Sequence, residues 1–85
     1  MAAGKITARI MDEEHGLLIL ESVSAVRIRS KNYVLLMMND YLPSLGEIDG
    51  DVYFITRENE TVYKGIKGFY KNQHNEFTLL ITGKA

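Results

Sequence analysis

The chain has 85 residues, 46% of them hydrophobic and 25% charged, which is the composition of one small globular domain spanning residues 1–85. Its formal net charge of −1 excludes a general positive field that would attract nucleic acid or anionic lipid. The lack of cysteine excludes disulfides and thiolate metal ligands. The longest apolar run, residues 33–38, is far shorter than the roughly 20 residues of a membrane-spanning helix. Residues 1–5 lack the apolar segment of a secretory signal.

Short apolar runs separated by polar turns recur from the start of the chain. Residues 6–10 alternate between apolar and polar with period two, which predicts a half-buried strand. After a polar turn at residues 13–16, residues 17–28 form an apolar, β-branched stretch in two pieces, with a break near Glu21-Ser22. A short helix over residues 17–26 is the alternative for this stretch.

The alternation of apolar runs and polar turns continues in the rest of the chain. A strand is predicted at residues 33–38, and Pro43 places the link after it outside any central strand because proline cannot donate to a sheet ladder. Asp49-Gly50 is a turn dipeptide. Further strands are predicted at residues 52–56, 61–63, 66–70 and 77–81. Evenly spaced short strands are typical of a sandwich or a barrel, and we predict an all-β sandwich of about eight to ten short strands.

No constellation of side chains indicates catalysis. His15 and His74 both fall in polar turns, where a solvated histidine is the simpler interpretation. Asp12-Glu13-Glu14 lacks the spaced ligands and the glycine of a calcium-binding loop. We therefore expect a protein that is not an enzyme and that needs no cofactor or metal.

The run at residues 33–38 is apolar on both faces of the predicted strand. Val34, Leu36 and Met38 share one face, while Tyr33, Leu35 and Met37 share the other. Either both faces are covered by the domain itself, which is difficult in a thin sandwich, or a partner protein covers one of them. We favour the partner.

Basic and aromatic residues permit a second function. Arg27, Arg29 and Lys31 share a parity and would point to one side of a strand. Tyrosines and a looser group of lysines accompany them, namely Tyr33, Tyr63, Tyr70, Lys64, Lys67 and Lys71. A small barrel that binds nucleic acid is therefore the alternative, although the net negative charge argues for an ordinary solvated surface.

The order of these segments resembles the N-terminal β-sandwich domain of the F-type ATP synthase epsilon subunit. The resemblance covers nearly the whole chain and rests on the Val23-Ser24-Ala25-Val26 segment, the apolar strand at residues 35–38, Pro43 at the end of the following loop, and the Gly68-Phe69 pair. Asn75 in the last turn also matches, as do Phe77, Thr78, Leu79 and Leu80 in the last strand. The chain departs from the family at several signature positions, with Val34 where glutamate is common and Tyr41 in place of the loop histidine.

The resemblance implies a non-catalytic rotor subunit that binds the gamma subunit and the c-ring and so couples ion transport to ATP synthesis or hydrolysis. Its location would be cytoplasmic, peripheral to the inner face of the membrane. The partner-binding residues it implies are Tyr33, Val34, Leu35, Asn39, Asp40, Tyr41, Leu42 and Pro43. It also places Phe69 in the core and Gly68 where the backbone has little room. The C-terminal helical hairpin of epsilon subunits has no counterpart in these 85 residues.

Overall fold

The computed structural model describes residues 4–85, and these residues form six strands and no helix. The strands are β1 (Ile6–Asp12), β2 (Gly16–Ser30), β3 (Tyr33–Met38), β4 (Ser44–Thr56), β5 (Glu60–Gln73) and β6 (Glu76–Lys84). The all-β prediction is confirmed, and the alternative of a helix over residues 17–26 is wrong because this stretch lies in β2. Within the described range, no helix could cross a membrane.

Five of the strands close into a barrel. Their order around the sheet is β1, β6, β5, β4 and β2, and β1 pairs again with β2 to complete the circle. Among these barrel pairs only β1–β6 is parallel, and the others are antiparallel. The remaining strand, β3, pairs with the second half of β2 alone.

Bulges bend the long strands where the sequence predicted breaks. The register of β2 shifts between Val23 and Ala25, next to Ser22, whose φ of 57° lies in the left-handed region. The register of β4 shifts between Gly50 and Val52. An extra residue in one strand kinks the ladder without ending it. The prediction of eight to ten short strands in a sandwich is therefore not confirmed, since these turn signals lie inside longer strands of a closed sheet.

The core occupies the inside of the barrel and is built by alternate residues of each strand. Phe54 and Phe77 are fully buried, with ring centroids 5.6 Å apart, and the Tyr70 ring stacks on Phe77 at 5.7 Å. Burying such rings contributes most of the stabilisation available to a small domain. The core is thus a single cluster shared by all the strands.

The predicted burial of Phe69 is wrong. Its side chain is 53% exposed, whereas its neighbour Tyr70 is 7% exposed. Gly68 and Tyr70 share the inward parity of β5, so Phe69 must point outward. The predicted lack of space at Gly68 is correct, because a Cβ there would collide with the backbone carbonyl oxygen of Leu80.

Candidate partner-binding surface

Strand β3 has one inward and one outward row of apolar side chains. Met37 is fully buried, and Tyr33 and Leu35 pack against the core. In the outward row Val34 is 71% exposed, and Leu36 and Met38 are also exposed. Because β3 pairs with β2 alone, nothing in the described chain covers this row. Of the two explanations offered for the double apolar pattern, coverage of both faces by the domain itself is wrong.

Tyr33 anchors the inner row of β3. Its hydroxyl donates to the backbone carbonyl of Glu47 at 2.6 Å, and burial raises the pKa of this phenol above its ordinary value. The bond ties the start of β3 to the first half of β4. Tyr33 and Leu35, both predicted to bind a partner, therefore support the strand from within.

The loop at residues 39–43 is held in place by contacts with distant parts of the chain. The backbone N–H of Lys5 donates to Asn39 Oδ1 at 2.9 Å, and the Lys5 ammonium lies 3.1 Å from the Asp40 carboxylate. Asp40 also exchanges two hydrogen bonds with Asn75. These donors hold the pKa of Asp40 below its ordinary value, with the bond from Asn75 as the largest cause and Lys5 next.

The loop side chains differ in accessibility. Leu42 is 64% exposed and Pro43 is exposed as well. Tyr41 packs against the core, and its backbone N–H donates to the Met38 carbonyl at 3.2 Å. The structure therefore brings Val34, Leu42 and Pro43 to the surface, while Tyr41, another of the residues implied to bind a partner, is half-buried.

The exposed side of β3 continues across β2 and β4 onto β5. Leu36 lies opposite Arg27 on β2, which lies opposite Tyr53 on β4, which in turn lies opposite Val62 on β5. The Arg27 guanidinium carbon is 4.3 Å from the centroid of the Tyr53 ring, a cation–π contact. We call this surface the β3 face; its residues are Val34, Leu36, Met38, Arg27, Arg29, Tyr53 and Val62, of which Arg27 is half-buried and Tyr53 is only 9% exposed.

Only some of the basic and aromatic residues predicted to bind nucleic acid lie on one surface. Arg27 and Arg29 share the β3 face, and Lys31 is exposed in the turn beyond it. The predicted tyrosines do not accompany them, since Tyr70 is buried in the core and Tyr63 packs against it. Burial likewise raises the pKa of the Tyr63 phenol.

A second apolar row, which the sequence reasoning missed, lies elsewhere on the barrel. Leu17, Met11, Leu80 and Phe69 are direct neighbours on four adjacent strands, and all four are exposed. Lys67 and Lys71 flank Phe69 on the same side of β5. Because Ile6, Ala8 and Ile10 alternate as the apolar side of β1, the sequence could have shown that Met11 points outward. Its neighbours on the adjacent strands could not be predicted, because they depend on how the strands pair.

The acidic turn after β1 forms a compact polar cluster. Ligand atoms of Asp12, Glu14 and His15 lie within 4.8 Å of one another. Asp12 Oδ2 is 2.9 Å from His15 Nδ1, and Asp12 Oδ1 accepts the Glu14 backbone N–H at 3.0 Å. The bond between the two side chains is the largest cause that lowers the pKa of Asp12 and raises that of His15. These contacts are those of a capped surface turn.

No protein-family model matches the chain, and no curated protein is significantly similar to it. The surface geometry therefore carries the functional inference. Its main features are the uncovered outer row of β3, the tethered loop beside it, and the Arg27–Tyr53 pair in the adjoining strands.

Proposed function

We propose that this protein is a non-catalytic binding subunit that resembles the epsilon subunit of an F-type ATP synthase. Its partners would be the gamma subunit and the c-ring, and its role would be to couple ion transport to ATP synthesis or hydrolysis. The observation that carries the proposal is the uncovered outer row of β3, in which Val34, Leu36 and Met38 are all exposed. Adjacent exposed apolar side chains mark interaction surfaces in soluble domains.

The course of the chain supports this proposal. The described residues measure 33 × 26 × 20 Å along their principal axes, so the domain is flattened. The register shifts in β2 and β4 bend both strands near their middle. We propose that the two broad sides of this flattened barrel correspond to the two sheets of the epsilon-type sandwich.

The proposed interface has an exposed layer and a supporting layer. Val34, Leu42 and Pro43 would contact the partner, since these side chains are exposed. Tyr33, Leu35 and Tyr41 would fix the position of that layer by packing against the core. Asn39 and Asp40 would hold the loop through their bonds to Lys5 and Asn75. A cytoplasmic position at the inner face of the membrane would follow from attachment to the c-ring.

The test is binding to a purified assembly of gamma subunit and c-ring. Changing Val34→Asp together with Leu42→Asp places two charges in the proposed contact without disturbing the core. We expect this variant to keep its melting temperature within a few degrees and to lose at least tenfold in affinity, about 1.4 kcal/mol.

The matched control is Leu17→Asp together with Leu80→Asp, which alters two exposed leucines of the second apolar row. This variant should bind like the unaltered protein. Equal affinity of the Val34/Leu42 variant and the unaltered protein would exclude β3 as the interface. Failure of the unaltered protein to bind the assembly would exclude the rotor assignment.

The alternative function is nucleic-acid binding, for which the specific observation is that Arg27 and Arg29 lie on one face next to Tyr53. Phosphate contacts make affinity fall steeply as salt increases, whereas an apolar contact between proteins changes little. Titration with a single-stranded oligonucleotide at two salt concentrations separates the two functions.

A further inference from the structure

The centre of the β3 face carries a positive charge that lacks a carboxylate partner. Arg27 lies between Leu36 and Tyr53 in the sheet. The Nε atom of Arg27 is buried and has no hydrogen-bond partner. Among residues 4–85 the ion pairs involve other side chains, so Arg27 is held by its contact with the Tyr53 ring and not by a carboxylate.

This arrangement is costly for an isolated surface. A buried donor of a charged group loses its hydration without a compensating bond. The apolar neighbours Leu36 and Val62 flank the Arg27–Tyr53 pair and limit the access of water. Arginine and tyrosine surrounded by apolar side chains are also the composition of interface hot spots.

The charges near Arg27 indicate the sign of the charge that a binding partner should carry. Arg29 is exposed two residues along the same side of β2, and Lys31 follows in the turn. Asp51 lies opposite Arg29 and supplies an opposite charge to it, and one of its oxygens also accepts the Gly65 backbone N–H at 2.9 Å. Arg27 instead lies opposite the uncharged Leu36 and Tyr53, so it has no carboxylate opposite it in the sheet, and an acidic group is its complement.

We propose that the β3 face binds an apolar segment of a partner protein whose central side chain is a carboxylate, and that this carboxylate pairs with Arg27. The proposal rests on the binding role assigned to β3 and specifies the chemistry of the partner there. Contact with the apolar neighbours would exclude water, which strengthens a charge-assisted hydrogen bond. The Tyr53 ring would keep the guanidinium in position.

The probe is a pair of capped 15-residue amphipathic peptides with an apolar face of leucine and methionine. The two peptides are identical except for Glu or Gln at the centre of that face. We expect the Glu peptide to bind about tenfold more tightly, the size of effect typical of one hydrogen bond to a charged group. Its amide chemical-shift changes should centre on Arg27, Leu36 and Val62.

Substitution of the arginine tests the pairing directly. Arg27→Gln should abolish the preference for the Glu peptide, and Arg27→Lys should keep part of it because the charge remains. The matched control is Lys31→Gln, which removes an exposed positive charge from the turn beyond the β3 face and should retain the preference. Thermal melting checks that each variant is folded. If Arg27→Gln does not fold, the affinities of Arg27→Lys and of the unaltered protein for the two peptides still test the pairing.

The possible outcomes separate this inference from the rotor assignment. A Glu preference that depends on Arg27 supports it even if the gamma–c-ring assembly does not bind. Equal affinity for both peptides, absence of binding, or shifts outside the β3 face would overturn it. It would also be overturned if a 15-nucleotide oligothymidine displaced the Glu peptide from Arg27, since the face would then be a nucleic-acid site.

Discussion

Asp40 and Asn75, which are 35 residues apart in the chain, bind each other through two hydrogen bonds. The Asp40 backbone N–H donates to Asn75 Oδ1 at 2.7 Å, and Asn75 Nδ2 donates to Asp40 Oδ1 at 2.9 Å. Both residues have φ near 60°, a conformation that asparagine and aspartate tolerate better than most residues. The pair joins the loop after β3 to the turn between β5 and β6.

We expect this pair to order the loop at residues 39–43. Asn75→Gly removes both hydrogen bonds but suits the positive φ, whereas Asn75→Ala also incurs the left-handed strain of about 1 kcal/mol. Both variants should speed amide exchange at Asp40 and Tyr41, and only the alanine variant should show the additional loss in urea unfolding. Unchanged exchange in both would mean that Lys5 and the backbone suffice to hold the loop.

The hydrogen bond between Asp12 and His15 should make stability depend on pH at both ends of the range. The pKa of His15 is raised, so its contribution is complete below about pH 6.5 and is lost as pH rises through the folded-state pKa. The pKa of Asp12 is lowered, so its contribution is present above pH 3.8 and is lost as pH falls through the folded-state value. NMR titration of the His15 ring measures the raised pKa from which the first of these two effects follows.

Asp12→Asn is the matched variant for this titration. Asparagine keeps the Oδ1 acceptor for the Glu14 backbone N–H but loses the charge that favours protonated His15. The measured pKa of His15 should therefore fall in this variant. A His15 pKa that does not change would mean that the hydrogen bond does not persist in solution.

Phe69 and Phe77 should differ sharply when truncated. Phe77 is fully buried and stacks on Tyr70, so Phe77→Ala should destabilise the fold by roughly 3–5 kcal/mol. Phe69 is 53% exposed, and Phe69→Ala should cost about 0.5 kcal/mol or less. Urea unfolding of the two variants measures the difference, and a large loss from Phe69→Ala would place that ring inside the barrel.

Gly68 and Gly83 form a second contrasting pair. A Cβ at Gly68 would collide with the Leu80 carbonyl oxygen, whereas a Cβ at Gly83 would meet nothing within 4 Å. Gly68→Ala should therefore destabilise the protein by about 1–3 kcal/mol or more, since β5 and β6 must separate. Gly83→Ala should be neutral or slightly stabilising. Equal melting temperatures for the two variants would contradict the close approach of these strands.

The sequence alone determined that the chain forms an all-β domain and where most strand segments lie, but it assigned residues 44–46 to a link and Asp49-Gly50 to a turn, all of which lie in the first half of β4. The successful part rests on local effects: the alternation at residues 6–10 and the polar turns around His15 and His74 act within a few residues. Local breaks in the apolar pattern also located the bends, although a bulge and the end of a strand interrupt the pattern in the same way. The predicted break near Glu21-Ser22 therefore became a bend inside β2.

Only the tertiary structure decided which side of each strand faces the core and what lies beside it. Residues 33–38 are apolar on both parities, so hydrophobic pattern could not choose between Val34 and Leu35 as the exposed residue. Register between strands is a non-local property, and a shift of one residue exchanges the inner and outer side chains. For the same reason the contact of Arg27 with Tyr53 depends on how β2 and β4 pair around the closed barrel.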